Sequence, residues 1–414
     1  MTVSTSNATV IERLQFAGNK TMVKALKLAA GVMPIRDPLL LVGTDATSQL
    51  AEQVAADSLS TVLLVTTAGI VKRGQAAELI HALEHQGIRP VIFDGIVPDP
   101  GFDVVNRGLE LLRQEACDGI IAFGGGSAMD VAKVIALAAA NKRAPEKLVG
   151  YFKGRKRPLP LYAVPTTAGT GSEATIASVI SDDESHEKCF VIDSRTVPLV
   201  AALEPRLMEK LSPSITAATG MDALTHAIEA YISTINTPKT DRLAEEAIEL
   251  IFDNLPLAYE NGSNLEAREA MSIASYKAGR AFTQASVGYV HAISHQLGAM
   301  YGVAHGLGNA IVLPEVLTVS LPQAAPRLAR LAVVTGLGDD SEPEAELAQQ
   351  FVDHIRELNK QLGIPAKVAE LDDKDIPAIA KGALKEALMN YPVPRHMGRV
   401  DCEELLRGLR MPAS

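Results

Sequence analysis

Two patterns of hydrophobic positions divide the chain near residue 205. Between residues 39 and 205, short apolar runs alternate with segments of helical period, which is typical of strands joined by crossover helices. The clearest predicted strands cover residues 62–66, 90–94, 119–123 and 161–165. Their continuous apolar character indicates burial on both faces of a parallel sheet. We therefore expect a doubly wound, Rossmann-like α/β domain over residues 39–205.

After residue 205 the strand pattern fades, and long helical stretches rich in Ala, Leu and Glu follow, as in residues 240–255 and 265–283. This pattern predicts an all-α C-terminal domain over residues 206–414. Residues 1–38 form an N-terminal extension with helical period around residues 21–30, which ends at Gly31 and Pro34. We assign no role to this extension.

Composition narrows the class of protein. At 414 residues the chain exceeds the size at which one hydrophobic core usually stops growing, so two domains are expected. A net charge of -10 disfavours nucleic acid and anionic membranes as partners. There is neither an apolar run of about 18–20 residues nor a signal-peptide pattern at the N-terminus. Three widely spaced cysteines suit a reducing compartment. We expect a cytoplasmic enzyme that acts on small molecules.

A glycine-rich run follows the predicted strand at residues 119–123. It reads GGGSAMDVAK, with Gly124, Gly125, Gly126 and Ser127 at the start of a predicted helix. Glycines let a diphosphate approach the backbone closely, and a helix N-terminus offers unpaired amides to its charge. The alternative is purely structural: Ser127 caps the helix, and Asp130 completes a capping box. The run matches neither G-x-G-x-x-G nor a P-loop, so by itself it leaves both interpretations open.

A second loop follows the predicted strand at residues 161–165. It reads PTTAGTGSEAT and places several hydroxyl groups among small residues, which suits hydrogen bonding to a ribose diphosphate. An exposed Ser/Thr loop without a ligand is the alternative. Open parallel sheets bind ligands beyond the carboxyl ends of their strands, so two such loops in one α/β half favour a cofactor site.

The strongest chemical pattern lies in the helical half. Asp222 and His226 are four residues apart, as are His291 and His295, and His305 follows ten residues later. Residues four apart share one helix face, and a carboxylate with several imidazoles suits a divalent ion such as Fe²⁺ or Zn²⁺. Glycines between His295 and His305 are expected to interrupt the helix and turn His305 back. The alternative is a set of buried histidines that serve only packing.

With these motifs in order, the sequence resembles the iron-containing, or group III, alcohol dehydrogenase family over about residues 40–400. The resemblance rests on GGGSAMDVAK, PTTAGTGSEAT, GMDALTHAIEAY and the spacing of the three histidines. It implies an NAD(P)-linked alcohol dehydrogenase or aldehyde reductase with an N-terminal dinucleotide-binding domain and a helical C-terminal domain. It further implies a small alcohol or aldehyde as substrate and a homodimer or larger homo-oligomer.

The resemblance also assigns residues. It implies that the metal, Fe²⁺ with Zn²⁺ as the alternative, is held by Asp222, His226, His291 and His305. It places His295 near the nicotinamide and the substrate as the catalytic residue, where an imidazole can relay the alcohol proton. The implied cofactor contacts are Gly125, Gly126, Ser127, Thr166, Thr167 and Thr170, with Asp99 and Lys188 as weaker candidates.

One departure from the family concerns the choice between NAD and NADP. Thr67 follows the predicted strand at residues 62–66, where NAD-preferring members often carry an Asp that binds the adenosine ribose. A carboxylate there would repel a 2′-phosphate, so its absence leaves NADP open. Lys72 and Arg73 stand nearby, although charges there are also typical of a solvated helix face.

Three rival functions follow from the same residues. A zinc polyol dehydrogenase of the glycerol dehydrogenase type shares the architecture, commonly with three protein ligands. A dehydroquinate-synthase-like lyase would need basic side chains beside the histidines, and none is adjacent to His291, His295 or His305 in sequence. A non-catalytic metal-binding or nucleotide-binding protein would leave both loops and the metal cluster without a reaction.

Overall fold

The computed structural model describes residues 35–184 and 187–411 of the chain. Nine strands lie between residues 39 and 203 of this described part: β1 (Leu39–Val42), β2 (Thr61–Val65), β3 (Arg89–Phe93), β4 (Gly119–Gly124), β5 (Gly150–Tyr151), β6 (Leu161–Pro165), β7 (Ala177–Ser181), β8 (Lys188–Ile192) and β9 (Val200–Leu203). Six of them form one fully parallel sheet in the order β1-β9-β6-β4-β2-β3. The other three form a small sheet in the order β5-β8-β7.

Five helices connect the strands of this half: α1 (Ala46–Ala56), α2 (Ala68–Lys72), α3 (Ala77–His85), α4 (Phe102–Gln114) and α5 (Gly126–Asn141). Side chains of a strand alternate between the faces of its sheet. Val62 and Leu64 of β2 therefore join the core formed with α1 and α3, whereas Leu63 and Val65 join the core formed with α4 and α5. Helices on both faces explain why these strands are apolar without alternation.

The order of the strands creates a switch point between β2 and β4. From β2 the chain continues to β3 on one side, and β4 then pairs with the other side of β2. In open parallel sheets, ligands bind in the crevice outside the carboxyl ends of strands at such a point. The residues that follow β2 and β4, and those that follow the neighbouring strand β6, thus surround one crevice.

The second half of the described chain is helical. Its eight α-helices are α6 (Pro213–Ile232), α7 (Pro238–Glu260), α8 (Leu265–Ala285), α9 (Tyr289–Tyr301), α10 (His305–Val334), α11 (Glu344–Gln361), α12 (Ile376–Asn390) and α13 (Arg399–Gly408). Their apolar faces share one continuous core. None of the helices in the described ranges is long and apolar enough to cross a membrane.

Helix α6 lies at the centre of this half. It begins at a Ser212 cap, whose side chain accepts from the Ile215 amide, and it packs against α7, α8 and α10. Gly220 makes the contact with α7 close, because a Cβ at this position would lie 2.3 Å from Leu255 Cδ1. The helix is buried over most of its length, so the polar side chains it carries inward need partners.

The predicted fold class, an α/β dinucleotide-binding half followed by a helical half, is confirmed. The four predicted strands correspond to β2, β3, β4 and β6 within one residue at each end. The helices predicted over residues 240–255 and 265–283 are observed as the longer α7 and α8. The helical period predicted in the N-terminal extension lies outside the described residues, and the division at residues 38 and 205 stays a prediction.

Replacing Arg327 with Ala is expected to destabilise the helical half. Its guanidinium makes a bidentate pair with Asp241 at 2.6 and 3.0 Å, bonds the Tyr231 carbonyl, and lies 3.7 Å from the centre of the Tyr231 ring. Charge-assisted hydrogen bonds of this kind contribute about 1.5–3 kcal/mol. We expect the free energy of unfolding, measured by denaturant titration, to fall by about 2 kcal/mol. Arg330→Ala is the control, because Arg330 is half-exposed and lies 3.9 Å from Glu245; equal losses in both variants would contradict the prediction.

Candidate metal and cofactor site

Three helices bring the candidate metal ligands together. Asp222 and His226 lie one turn apart on α6, His291 lies in the first turn of α9, and His305 is the first residue of α10. Gly302 ends α9 in the left-handed conformation, with φ of 69°, which favours glycine. The chain reverses there, so the predicted interruption of the helix between the histidines is confirmed.

The ligand atoms of these four residues all lie within 4.8 Å of one another. His226 Nε2 is 3.0 Å from His291 Nε2, and His305 Nε2 is 3.4 Å from Asp222 Oδ1. Ligand atoms about 2.1 Å from one ion are at most about 4.2 Å apart, so small side-chain rotations suffice to place all four on it. Three imidazoles and one carboxylate form a donor set that fits a divalent transition metal.

The charge states of the histidines favour ligation. Burial lowers the pKa of His226, and burial together with the neighbouring His226 and His305 lowers the pKa of His291 well below its ordinary value. Desolvation lowers the pKa of His305 to about 4, although 42% of its side chain is exposed. Neutral imidazole is the form that binds metal, so no proton has to be displaced near neutral pH.

Glu229 is a functional residue that the sequence analysis missed. Its carboxylate is buried and lies 2.7 Å from His291 Nδ1, and it accepts hydrogen bonds of 2.7 Å from the Gly288 and Val290 amides. A carboxylate behind a ligating histidine orients the ring and fixes the proton on the other nitrogen. The signal was present in GMDALTHAIEAY, because Glu229 lies seven residues after Asp222 on the same face of α6.

Burial raises the pKa of the Glu229 carboxyl to about 8, while the amide hydrogen bonds act in the opposite direction. A cation bound at His291 would favour the ionised form of the nearby carboxyl. The ionisation of the Glu229 carboxyl is therefore expected to depend on whether a cation is bound at His291.

Asn309 also lies among the ligands and was not predicted. It is fully buried one turn after His305 on α10, and its Nδ2 donates to Asp222 Oδ1 at 2.8 Å. The same nitrogen is 3.2 Å from His291 Nε2 and 3.2 Å from His305 Nε2. Its amide thus holds the only carboxylate of the predicted ligand set in place. Asn309 could have been predicted from its position four residues after His305, because residues four apart lie on the same face of a helix.

Close helix contacts shape this site. Gly306 packs so tightly that a Cβ would lie 2.3 Å from the Ala218 carbonyl oxygen, which lets the start of α10 approach α6. Phe282 stacks on His226 with ring centres 4.2 Å apart and planes 15° apart. Phe282 therefore packs against a candidate metal ligand.

His295 lies beside the ligand set without belonging to it. Its ring stacks on His305 with centres 5.3 Å apart, and its Nδ1 is 2.7 Å from Glu386 Oε1. This position, next to the metal ligands and outside them, is compatible with the predicted role in proton transfer. Glu386 on α12 is a further residue that no sequence pattern singled out.

The glycine-rich run forms a turn between β4 and α5. Gly125 is the N-cap of α5, and the helix begins at Gly126 without a side-chain cap. Asp130 instead accepts from Ser172 Oγ at 2.8 Å and from the Val179 amide at 3.0 Å. The capping-box alternative for Ser127 is therefore wrong, because tertiary partners take the Asp130 carboxylate. No side chain caps the start of α5, so its first amides can bind an anion such as a diphosphate.

The second loop lies directly against this turn. Cβ atoms built at Gly125 and Gly126 would lie 3.4 Å from Thr167 Oγ1 and 2.9 Å from Thr170 Cγ2, so backbone and hydroxyl groups of the two loops share one surface. Thr166, which precedes Thr167, is buried. The structure thus brings together the predicted cofactor residues of both loops: Gly125, Gly126, Ser127, Thr166, Thr167 and Thr170.

A buried charge holds the second loop in place. The Lys133 ammonium on α5 donates to Ser172 Oγ at 2.9 Å, to Thr175 Oγ1 at 2.8 Å and to the Ala177 carbonyl at 2.9 Å. Burial lowers the pKa of Lys133 to about 8, and Asp130 partly offsets this effect. The GGGSAMDVAK helix therefore shapes the cofactor crevice through its Asp and its Lys as well as through its glycines.

The same loop also contacts α6, the helix that carries Asp222 and His226. A Cβ at Gly169 would lie 2.7 Å from Thr219 Cβ on α6, and one at Gly171 would lie 2.6 Å from the Ser275 carbonyl on α8. Gly171 also has a positive φ of 58°. The loop after β6 therefore contacts α6 at Thr219, within one helical turn of Asp222.

The remaining predicted residues lie at two other places. Thr67 follows β2 and caps the short helix α2, its hydroxyl accepting from the Ile70 amide at 3.2 Å. Lys188 forms an ion pair with Asp99, which also accepts from Ser181 Oγ at 2.6 Å. Strand β8, which begins at Lys188, also carries Phe190, whose ring centre lies 6.3 Å from that of His295, so this pair lies on the side of the metal ligands.

A group of candidate metal ligands beside two loops at the switch point of a parallel sheet suits a metal-dependent dehydrogenase that uses a dinucleotide. Comparison with known families agrees. Residues 38–205 match the model described as iron-containing alcohol dehydrogenase, and residues 216–409 match the C-terminal model of the Fe-containing alcohol dehydrogenase family. The chain belongs to the iron-containing alcohol dehydrogenase family and is an oxidoreductase. Members of this family use NAD(H) and Fe²⁺.

Curated relatives extend over most of the chain. Alcohol dehydrogenase 4 of Schizosaccharomyces pombe is 39% identical and covers 89% of this chain and 86% of its own length. The NAD-dependent methanol dehydrogenase of Bacillus methanolicus is 38% identical, with 84% and 92% covered. A crystal structure of 1,3-propanediol oxidoreductase has a TM-score of 0.87 and 36% identity, and it covers 91% of this chain and 99% of its own.

Replacing Glu229 with Gln is expected to weaken metal binding by about 10–100-fold, because the His291 ring loses the carboxylate that orients it. The measurement is the dissociation constant for Zn²⁺ in competition with a chromophoric chelator. Glu246→Gln is the control, since Glu246 pairs with Lys277 at the surface of α7. An unchanged constant in Glu229→Gln would show that the ring is oriented by other contacts.

Replacing Lys133 with Met is expected to weaken cofactor binding about tenfold, equivalent to about 1.4 kcal/mol. The loop from Ser172 to Ala177 would lose three hydrogen bonds from one buried ammonium. Fluorescence titration of NADH into the metal-free protein measures the effect. The control is Lys147→Met at an exposed position. Equal affinities in the two variants would refute a positioning role for Lys133.

Proposed function

We propose that the protein interconverts a small alcohol and its aldehyde or ketone by hydride transfer to or from a nicotinamide cofactor. The observation that carries the proposal is the set of four ligand atoms within 4.8 Å, one helical turn from the loop that meets the glycine-rich turn. Relatives of this chain include a methanol dehydrogenase, a 1,3-propanediol dehydrogenase and a lactaldehyde reductase, which supports a small substrate.

The proposed metal ligands are Asp222, His226, His291 and His305. Bound Fe²⁺, or Zn²⁺ as the alternative, supplies Lewis acidity toward the substrate oxygen. Glu229 orients His291, and Asn309 holds the Asp222 carboxylate, so contacts within the protein organise the ligand set. Preformed ligands reduce the cost of organising the site during the reaction.

The crevice beyond β2, β4 and β6 is the proposed cofactor site. Gly125, Gly126 and Ser127 offer backbone close to the diphosphate, while Thr166, Thr167 and Thr170 offer hydroxyl groups. Asp99 and Lys188 are proposed contacts on the side of the metal ligands. The cofactor supplies the hydride acceptor, and the residues of the crevice orient it.

Thr67 bears on the choice of cofactor. It follows β2, which pairs with the strand β4 that precedes the glycine-rich turn, and it presents a hydroxyl in place of the carboxylate that would repel a 2′-phosphate. We therefore include NADP(H) together with NAD(H) in the proposed function. The ratio of the two affinities decides between them.

His295 is the proposed proton relay. In the direction of oxidation it accepts the proton of the alcohol hydroxyl, and in the direction of reduction it returns that proton to the carbonyl oxygen. Its position beside His305, outside the ligand set, supports this role.

The setting of the enzyme is also a proposal. Cys117, Cys189 and Cys402 are all free thiols, which supports a cytoplasmic location. Leu39, half-exposed on the edge strand β1, supports assembly into a homodimer or larger homo-oligomer. We further propose the division into an N-terminal extension (1–38), an α/β domain (39–205) and a helical domain (206–414).

The reaction is tested by stripping the purified protein of metal and restoring Fe²⁺ or Zn²⁺ anaerobically. A panel of small alcohols and aldehydes is followed with NAD(H) and NADP(H) through the absorbance of the reduced nicotinamide. We expect turnover that disappears on chelation and returns with the ion. Stoichiometric metal without turnover of any substrate pair would contradict the proposal and favour the lyase or a binding protein.

His295→Ala tests the relay in the same assay. We expect kcat to fall by about 10²-fold with metal content unchanged, because general acid–base groups contribute about 10²–10⁴-fold. His354→Ala is the matched control, since His354 packs on Phe252 in the helical half. Either full activity or loss of the metal in His295→Ala would refute a relay role.

A further inference from the structure

Behind His295 lies a carboxylate that the proposed reaction does not yet use. Glu386, in the last full turn of α12, places Oε1 2.7 Å from His295 Nδ1, with 15% and 14% of the two side chains exposed. The two helices meet closely, because a Cβ at Gly382 of α12 would lie 2.2 Å from Gln296 Oε1 of α9. The contact between the helices therefore carries the pair.

Three donors converge on Glu386. Tyr391, the residue after α12, lies with its hydroxyl 2.6 Å from the same Oε1, and Gln296 Nε2 lies 3.3 Å from Oε2. An ionised carboxylate only accepts hydrogen bonds, and an amide nitrogen only donates them. This set of partners matches an ionised carboxylate that accepts a hydrogen bond from each of the three neighbours. His295 then donates from Nδ1, which leaves the lone pair of the neutral ring on Nε2.

Tyr391 contacts the same carboxylate oxygen as His295. Burial raises the pKa of Tyr391 well above its ordinary value, so the phenol remains neutral and donates its proton. Its side chain is nearly fully buried. A buried neutral donor limits the carboxylate to one orientation, as in other charge-assisted hydrogen-bond networks.

The ring of His295 is confined on its faces as well. It stacks on His305 at 5.3 Å between centres, with the planes 18° apart, and Phe190 lies at 6.3 Å. Among the described residues, Nδ1 is the ring nitrogen that has a hydrogen-bond partner. Nε2 is thus the nitrogen left for the substrate proton.

We propose that Glu386 and Tyr391 are positioning residues that hold His295 as the Nδ1–H tautomer and leave Nε2 as the proton acceptor. This inference rests on the proposed function. In oxidation, the hydroxyl proton of the alcohol passes to Nε2, while a bound nicotinamide would accept the carbon-bound hydrogen with its electron pair, so that the alcohol would be oxidised and the cofactor reduced. The resulting imidazolium faces the Glu386 carboxylate, and it later releases the Nε2 proton to water. Neither Glu386 nor Tyr391 gains or loses a proton in the cycle.

The tautomer is measured directly. Long-range ¹H–¹⁵N spectra of the zinc-loaded protein, labelled with ¹⁵N-histidine and assigned with His295→Gln, show which ring nitrogen carries the proton. We expect Nδ1–H in the wild type and a shift toward Nε2–H in Glu386→Gln, whose amide can donate to Nδ1. The Nε2–H tautomer in the wild type would overturn the proposal.

Kinetics provide the second readout. Glu386→Gln is expected to lower kcat by about 10²-fold with KM and metal content unchanged, because a mis-set tautomer removes general acid–base catalysis without affecting binding. Tyr391→Phe, which keeps the carboxylate, is expected to lower kcat by less, about tenfold. Wild-type kcat in both variants would overturn the proposal.

The matched control is Glu245→Gln. Glu245 accepts from the Tyr231 hydroxyl at 2.8 Å on another face of the helical half, so this variant removes a carboxylate–tyrosine pair away from His295. We expect it to retain the wild-type kcat and tautomer. If Glu386→Gln does not fold, the wild-type tautomer and Tyr391→Phe decide. Because the tautomer is read without turnover, an inactive wild type would overturn the proposed function alone, whereas the Nε2–H tautomer would overturn the positioning role alone.

Discussion

The buried carboxylate of Glu229 is the contact on which the geometry of the metal site depends. It lies on α6, accepts hydrogen bonds from the Gly288 and Val290 amides at the start of α9, and lies 2.7 Å from His291 Nδ1. The first amides of a helix have no partners within that helix, so a buried helix start needs such an acceptor. One side chain therefore places the start of α9 against α6 and sets the direction of His291. A buried carboxylate without these donors would be costly, which ties the two helices together energetically.

A second constraint joins the sheet to the helices. The loop after β6 contacts the glycine-rich turn on one side and α6 and α8 on the other, where Gly169 and Gly171 leave no room for a Cβ. The buried Lys133 ammonium donates hydrogen bonds to Ser172 and Thr175 of the same loop. The loop thus has two roles: it lines the proposed cofactor crevice, and it contacts α6, which carries two of the candidate metal ligands. This arrangement explains why reaction partners bound in two halves of the chain would meet at one place.

The parts of the site that follow one local pattern were predictable from the sequence. Strands buried on both faces have unbroken apolar runs, so the fold class was found. Spacing of four residues on a helix indicated a shared face for Asp222 and His226, whereas the inclusion of His291 and His305, and not His295, in the ligand set came from the family resemblance. The capping box at Ser127 was the wrong interpretation, because Asp130 binds Ser172 and Val179, which lie far along the chain. Glu386 was missed for the same reason, since 91 residues separate it from His295.

By itself, the sequence determined the periodicities and the chemical types: which segments are strands or helices, where glycines admit close approach, and which side chains can bind a metal. These are local properties, set by neighbours within about one or two turns of the chain. Only the tertiary structure decided which carboxylate lies behind which histidine, where Lys133 and Asp130 direct their charges, and that Asn309 lies among the ligands. Those contacts depend on how separate helices and loops pack, and many residues of suitable type compete for each position until the packing selects one.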